Sequence, residues 1–215
     1  MSIRILLADD HTLMRQGLRH ILESHPEFDV VAEASSGIEA VEAARQHKPD
    51  VAVVDVAMKE LNGIEATSQI LKHSPLTSVL ILSMYSDERY VLRAVKAGAR
   101  GYLLKNSAGD ELLQAIQNVQ KGQAFFSPSV AAIFQNGFAR LNDPGDVSDR
   151  FELLTNRERQ IYQLLAEGNS NKDIANRLNL SLHTVETHRW RVMEKLDLHS
   201  TADLVLSAVR RGMVS

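Results

Sequence analysis

The chain contains no cysteine, so neither a disulfide nor a thiolate-held metal contributes to its architecture or chemistry. It also lacks any apolar run near the roughly 18 residues that a membrane-spanning helix needs. The opening residues run straight into the charged pair Asp9-Asp10, which is too soon for a secretory leader, and the expected compartment is the cytoplasm. No internal repeat is visible. Positive charge is scarce: the formal net charge is -3, and residues 151–215 carry 9 Lys/Arg against 8 Asp/Glu. Any nucleic-acid function therefore has to rest on residue pattern, because bulk charge gives it little support.

The 215 residues suffice for one large domain or two small ones, and 44% hydrophobic with 24% charged residues is ordinary for a globular protein. Up to about residue 122, short apolar runs (3–8, 30–34, 51–54, 79–83 and 101–104) alternate with amphipathic stretches of helical length. Residues 12–24 group Leu13, Gly17, Leu18, Ile21 and Leu22 on one helical face; residues 88–97 group Val91, Leu92 and Val95. Such alternation predicts a parallel sheet covered on both faces. Five units predict a doubly wound, flavodoxin-like α/β domain with strand order 2-1-3-4-5.

Residues 123–150 break that rhythm. Ser127-Pro128-Ser129 and Asn142-Asp143-Pro144-Gly145-Asp146 are turn and linker chemistry, with a helix expected between them over 129–141. Residues 151–215 read as an all-α unit of four helices. Thr155 and Glu158 form a capping box for a first helix that stops at Gly168. Ser170 or Asn171 caps a second, through Leu178. Ser181 or Leu182 opens a third, to about Leu196, and Thr201 caps a fourth, ending near Gly212.

Each apolar run of the first unit stops at polar residues. Asp9-Asp10 follow the first, Asp55 the third, Ser83 the fourth and Lys105 the fifth. In an open parallel sheet these carboxyl ends form the ligand-binding edge. Any one of these residues alone reads equally well as a turn, a cap or a surface residue; their joint placement gives the pattern its meaning. Three clustered carboxylates are unfavourable unless a cation neutralises them, and hard oxygen donors with room for water favour magnesium. A carboxylate so placed can attack phosphorus to give an aspartyl phosphate. Asp55 is the candidate nucleophile, with Lys105 to pair with the phosphoryl oxygens and the Ser83 hydroxyl to hydrogen-bond one of them.

At this point a resemblance appears. The segments LLADDH (6–11), VVDVAMKELNGIEA (53–66), ILSMYSD (81–87) and KAGARGYLLKN (96–106) make residues 1–122 similar to a bacterial response-regulator receiver domain. The resemblance implies phosphorylation of Asp55 by a sensor histidine kinase. It implies Mg2+ held by Asp10, Asp55 and the backbone carbonyl of Ala57, with Asp9 in support. It also implies that Ser83 and Tyr102 switch position while Lys105 contacts the phosphoryl group. One departure is Met58-Lys59-Glu60, where the family usually has Met-Pro. It frees the loop and adds a cation near the acceptor, without an expected loss of phosphorylation.

In the second unit, the short join between helices two and three suits a helix-turn-helix, although a four-helix protein-binding module would show a similar stripe. Val185, His188 or Arg189, Val192 and Leu196 should face the core of that unit. His183, Thr184, Glu186, Thr187, Trp190 and Arg191 should lie on the other face. Residues 154–198 closely resemble the LuxR-type helix-turn-helix, and the two halves together resemble the NarL/LuxR class of response regulators. That resemblance puts Glu186, Thr187 and Trp190 at base-facing positions. It makes Thr184, His188, Arg189, Arg191 and Lys195 candidates for phosphate contact, which orients a protein without reading sequence. Glu186 departs from the usual lysine, and a carboxylate can accept a hydrogen bond from cytosine N4.

The expected function is a transcriptional response regulator that binds paired sites on double-stranded DNA as a homodimer, with RNA polymerase as a further candidate partner. It is not expected to be an enzyme. A dehalogenase-like phosphatase with Asp55 as nucleophile would need a second carboxylate at position 57, where this chain has Ala57. A regulator with a disused phosphorylation pocket is disfavoured by the complete acid set and Lys105.

Overall fold

The computed structural model describes residues 2–128, 130–132, 150–211 and 213–214. The chain divides into two compact units, Met1–Pro144 and Gly145–Ser215. The first alternates β1 (Ile3–Ala8), α1 (Thr12–Glu23), β2 (Phe28–Ala34), α2 (Gly37–His47), β3 (Val51–Asp55), α3 (Gly63–His73), β4 (Ser78–Ser83), α4 (Glu88–Lys96), β5 (Gly101–Leu104) and α5 (Ala108–Gln120), ending in β6 (Phe125–Phe126). All pairings are parallel, in the order β2-β1-β3-β4-β5-β6. The five expected strands take the expected order. The sixth, a two-residue edge strand within the segment read as linker, is too short to leave a periodic signal. Its pairing shows in the bond from the Phe125 amide to the Arg100 carbonyl at 3.1 Å.

Strand side chains alternate between faces, and this sorts the core into two layers. Leu6, Ala8, Ala52, Val54, Val79 and Ile81 pack with Ala40, Ala44, Ile70, Val91 and Ala94 from α2, α3 and α4. Ile5, Leu7, Val51, Val53, Leu80 and Leu82 pack with Leu18 and Leu22 of α1 and Leu112, Ile116 and Val119 of α5. The apolar face of α1 differs from expectation. Its buried residues are Leu18 and Leu22, with Met14 packed beside them, whereas Leu13 is 85% exposed. Leu13 and Gly17 line an open groove with Met84 instead, one helical step away from the stripe that meets the sheet.

Gly63 brings α3 against the end of β3. A Cβ there would lie 1.9 Å from the Asp55 carbonyl oxygen, so a larger residue would push helix and strand apart. Asn62 caps the same helix by accepting from the Glu65 amide at 3.0 Å.

The second unit starts with a 3-10 turn, Arg150–Leu153, followed by α6 (Asn156–Ala166), α7 (Asn171–Leu178), α8 (Leu182–Leu196) and α9 (Thr201–Arg210). Each helix is capped by a hydroxyl: Thr155, Ser170, Ser181 and Ser200 accept from the amide three residues on. The cap of α9 is Ser200, while Thr201 is the first helical residue. Asn179 and Asp197 end α7 and α8 in the left-handed conformation, at φ 54° and 57°. The expected linker helix at 129–141 lies mostly outside the described residues; residues 130–132 are helical. No helix among the described residues is long and apolar enough to cross a membrane.

The apolar centre of this unit joins Phe151, Ile161, Tyr162, Ile174, Val185, Val192, Leu196, Leu204 and Ala208. Beside it lies a buried carboxylate. Glu158 is 2% exposed, closes the capping box on the Thr155 amide at 2.7 Å, and receives Lys195 Nζ at 2.7 Å. Burial raises the Glu158 carboxyl, but Lys195 and the Thr155 bonds outweigh it and hold it below its ordinary 4.5. A depressed carboxyl contributes stability above its unfolded value and loses it as pH falls through the folded one. Glu158→Ala should therefore cost about 2 kcal/mol at pH 7, because it removes half of a cap and of a partly exposed ion pair. Urea titration followed by Trp190, the single tryptophan, measures this, and the gap from wild type should shrink below pH 4.5.

Candidate functional site

The register of the sheet assembles the first site. Ala8 pairs with Val54, Asp55 with Leu82 and Ser83 with Leu104, so the residues that end these strands reach one edge together. Lys105, just past β5, places its Nζ 2.8 Å from Asp9 Oδ2 and 2.8 Å from Asp55 Oδ2. All three side chains are at most 5% exposed. Burial raises Asp55 above the ordinary carboxyl value of 3.8, against the pull of Lys105. Burial lowers Lys105, but Asp55 and Asp9 outweigh it and keep the amine raised and charged. A raised carboxyl favours folding at low pH and loses that contribution as pH rises through the folded value. Ionised Asp55 is thus a cost at neutral pH, offset by Lys105 and by the Ala57 amide, which donates to the carboxylate.

Asp10 and His11 complete the rim. His11 Nδ1 lies 2.8 Å from Asp10 Oδ1 and 3.3 Å from Asp9 Oδ1, while the His11 amide donates to Asp9 Oδ1 at 2.8 Å. One ligand atom from each of Asp9, Asp10, His11 and Asp55 falls within 4.8 Å of the others. Asp9 Oδ2, Asp10 Oδ1 and Asp55 Oδ2 are buried and accept no well-aimed hydrogen bond, although cationic or imidazole nitrogens stand close to them. Buried carboxylate oxygens without aligned donors fit a divalent cation held by hard oxygens. Arg15 steadies the loop by donating to the Asp9 carbonyl at 2.6 Å and pairing with Glu33 at 3.0 Å. Sequence reasoning gave no role to His11 or Arg15; adjacency to the Asp pair was the signal for the first.

Ser83 and Tyr102 meet at one backbone segment. Ser83 Oγ accepts from the Tyr85 amide at 3.0 Å, and the Tyr102 hydroxyl donates to the Tyr85 carbonyl at 2.7 Å. Both side chains are fully buried, and burial pushes the Tyr102 phenol far up, so it stays a neutral donor. The Tyr85 ring stacks on Tyr90 of α4, with centroids 4.8 Å apart. Lys59 is exposed and pairs with Ser36 through a single bridge, and Glu60 next to it is left-handed at φ 66°.

In the second unit, α8 presents His183, Glu186, Trp190 and Arg191 outward, with Trp190 62% exposed. Thr187 is half-buried and donates to the His183 carbonyl at 2.9 Å. Thr184 is half-buried beside the Ser181 cap, with the two hydroxyls 2.7 Å apart. His188 turns partly inward. Its Nδ1 is buried without a hydrogen bond, and burial above all lowers its pKa. Arg189 donates to Thr201 at 3.0 Å, and Lys195 holds Glu158 and the Leu153 carbonyl. These two cations are engaged within their own unit, so the freely exposed face of α8 is less basic than its composition.

Residues 5–117 match the family described as response regulator receiver domain, and residues 152–208 match bacterial regulatory proteins of the luxR family. The chain belongs to the two-component response regulators with a LuxR-type DNA-binding domain, a family of transcription regulators. Among its relatives, oxygen regulatory protein NreC of Staphylococcus haemolyticus (strain JCSC1435) is 40% identical over 215 residues, covering 99% of both chains. NreC of Staphylococcus carnosus (strain TM300) is 37% identical with the same coverage. Response regulator ChrA of a heme-sensing two-component system is 35% identical, covers 99% of both chains and superposes with a TM-score of 0.53. RcsB solved as a complex with DNA is 26% identical, covering 97% of this chain and 100% of that one, at a TM-score of 0.59.

Lys105→Ala should cost the first unit about 3 kcal/mol in EDTA, since it leaves two buried carboxylates uncompensated. Added Mg2+ should restore part of that loss. Thermal melts with and without Mg2+ check both, and equal melting under the two conditions would contradict the cation reading of the pocket.

Proposed function

We propose that phosphorylation of Asp55 by a sensor histidine kinase controls binding of this chain, as a homodimer, to paired sites on double-stranded DNA. The observation that carries this reading is the bridge from Lys105 to both Asp9 and Asp55 at the carboxyl edge of the sheet. Asp55 Oδ attacks phosphorus, a new P–O bond forms, and the bond to the donor's leaving group breaks, with the leaving group taking the electron pair. Asp10, Asp55 and the Ala57 carbonyl, with Asp9 in support, would hold Mg2+, which when bound neutralises charge on the phosphoryl group. Lys105 then exchanges a carboxylate partner for phosphoryl oxygens.

Ser83 would donate to another phosphoryl oxygen. Its hydroxyl now accepts from the Tyr85 amide, and Tyr102 is held by the Tyr85 carbonyl. Movement of Ser83 toward the phosphate is therefore passed through Tyr85 to Tyr102 and, by the stacked rings, to α4. That coupling supports the switch role of Ser83 and Tyr102.

For DNA, Glu186, Thr187 and Trp190 are the base-facing set. Thr184, His188 and Arg191 are phosphate contacts, and Arg189 and Lys195 join them only by extending beyond their present partners. RcsB has been solved as two dimers bound to two parallel DNAs, which supports the dimeric reading for this chain. Binding to DNA makes RNA polymerase the natural downstream partner and the cytoplasm the working compartment.

Incubation with acetyl phosphate and Mg2+ should add one phosphoryl group by intact mass and shift the chain toward dimer by size-exclusion chromatography. Asp55→Ala should abolish both. Failure of the wild-type chain to gain the adduct would sink this mode of control, and with it the expectation that Lys59 leaves phosphorylation intact. Glu186→Lys should change the sequence recovered by selection from random DNA, by about 1–3 kcal/mol of discrimination at one base pair. An unchanged selected sequence would remove Glu186 from the base-reading set.

A further inference from the structure

His11 occupies an unusual position for an exposed side chain. It stands at the N-cap of α1 but makes no side-chain cap bond. Its ring is 68% exposed, yet Nδ1 lies against two carboxylates. Its backbone amide is fixed to Asp9, which holds the residue over the pocket. The contact between Nδ1 and Asp10 Oδ1, at 2.8 Å, has the length of a hydrogen bond, but Asp10 Oδ1 accepts none. The ring nitrogen is near the oxygen and aimed past it.

Two donors that share a cation have this relation. Each points at the ion and is mis-aimed at its neighbour. In an octahedron with bonds of about 2.1 Å, adjacent donors lie about 3.0 Å apart. The Nδ1 separations of 2.8 Å and 3.3 Å bracket that edge. We propose that His11 is a further ligand to the ion held by Asp9, Asp10 and Asp55, and that the site takes a first-row transition ion such as manganese in preference to magnesium. This rests on reading the acid pocket as a cation site.

The donor set gives the reason. Magnesium prefers oxygen, loses water reluctantly and gains little from an imidazole. First-row transition ions bind nitrogen more strongly, so one imidazole among carboxylates raises their affinity selectively. His11 therefore sets ion choice, while the carboxylates set the presence of the site. The substitution His11→Ala removes an exposed ring that caps nothing, so the fold tolerates it.

The test uses the full chain, freed of metal, titrated separately with MnCl2 and MgCl2 by calorimetry. Wild type, His11→Ala and Asp10→Asn are compared, and the Mn2+-loaded proteins are examined by electron spin-echo modulation for coordinated nitrogen. His11→Ala should weaken Mn2+ binding about tenfold or more, the scale of losing a group that tunes a metal site. Mg2+ binding should change far less, and the nitrogen modulation seen in wild type should vanish. Equal losses for both ions, no loss for either, or no nitrogen modulation in wild type would overturn the role of His11. If Asp10→Asn still abolishes binding in that case, the acid pocket stands and only the imidazole ligand falls. If neither ion binds wild type, the pocket reading falls with it.

Discussion

The Lys105 ammonium, 2.8 Å from carboxylates at the ends of two other strands, is the contact on which the receiver unit's acid pocket depends. Buried carboxylates repel one another and lose hydration, so their cluster persists only with positive charge between them. A sheet whose register brings β1, β3 and β5 to one edge supplies that charge from within the chain. In the proposed function the same register would let the amine change partners when a phosphoryl group arrives, so that stability and reactivity would rest on one set of electrostatic contacts.

The second unit solves a similar problem with a different residue pair. Glu158 caps α6, lies beside the apolar centre and is matched by Lys195 from α8. Helix α8 is therefore oriented by an ion pair as well as by Val185, Val192 and Leu196. This diverts a cation from the outward face, where Glu186 already lowers the positive charge. A recognition surface with few free cations obtains less from phosphate attraction and depends more on base contacts and on paired binding.

Two buried side chains of the receiver are joined through backbone. Ser83 and Tyr102 lie on neighbouring strands and bond to the amide and carbonyl of Tyr85. A single residue thereby bonds to both side chains, and its ring stacks on α4. In the proposed switch such an arrangement would change as a unit, because each buried polar group would be left unsatisfied if its partner moved alone.

Much of this protein was legible in its sequence because the signals are local. Alternating apolar runs gave the parallel order of five strands, the capping box of Thr155 and Glu158 marked the start of α6, and Ser170 or Asn171 that of α7. Strand-ending Asp9, Asp10, Asp55, Ser83 and Lys105 pointed to one edge because strand polarity alone dictates which end they occupy. Other features required the tertiary structure. β6 is two residues long and exists only as a partner of β5. Leu13 has the polarity of a core residue but falls beyond the contact between α1 and the sheet. Ser200 displaces Thr201 as the cap of α9, a one-residue choice that propensity does not resolve. His11 and Arg15 acquire partners only when the β1–α1 loop closes over the pocket, and Lys195 meets Glu158 across 37 residues of chain. Residue type and spacing determined the elements and the edge where chemistry gathers; three-dimensional packing decided which charges pair there, since Coulombic contacts depend on distances that sequence separation does not encode.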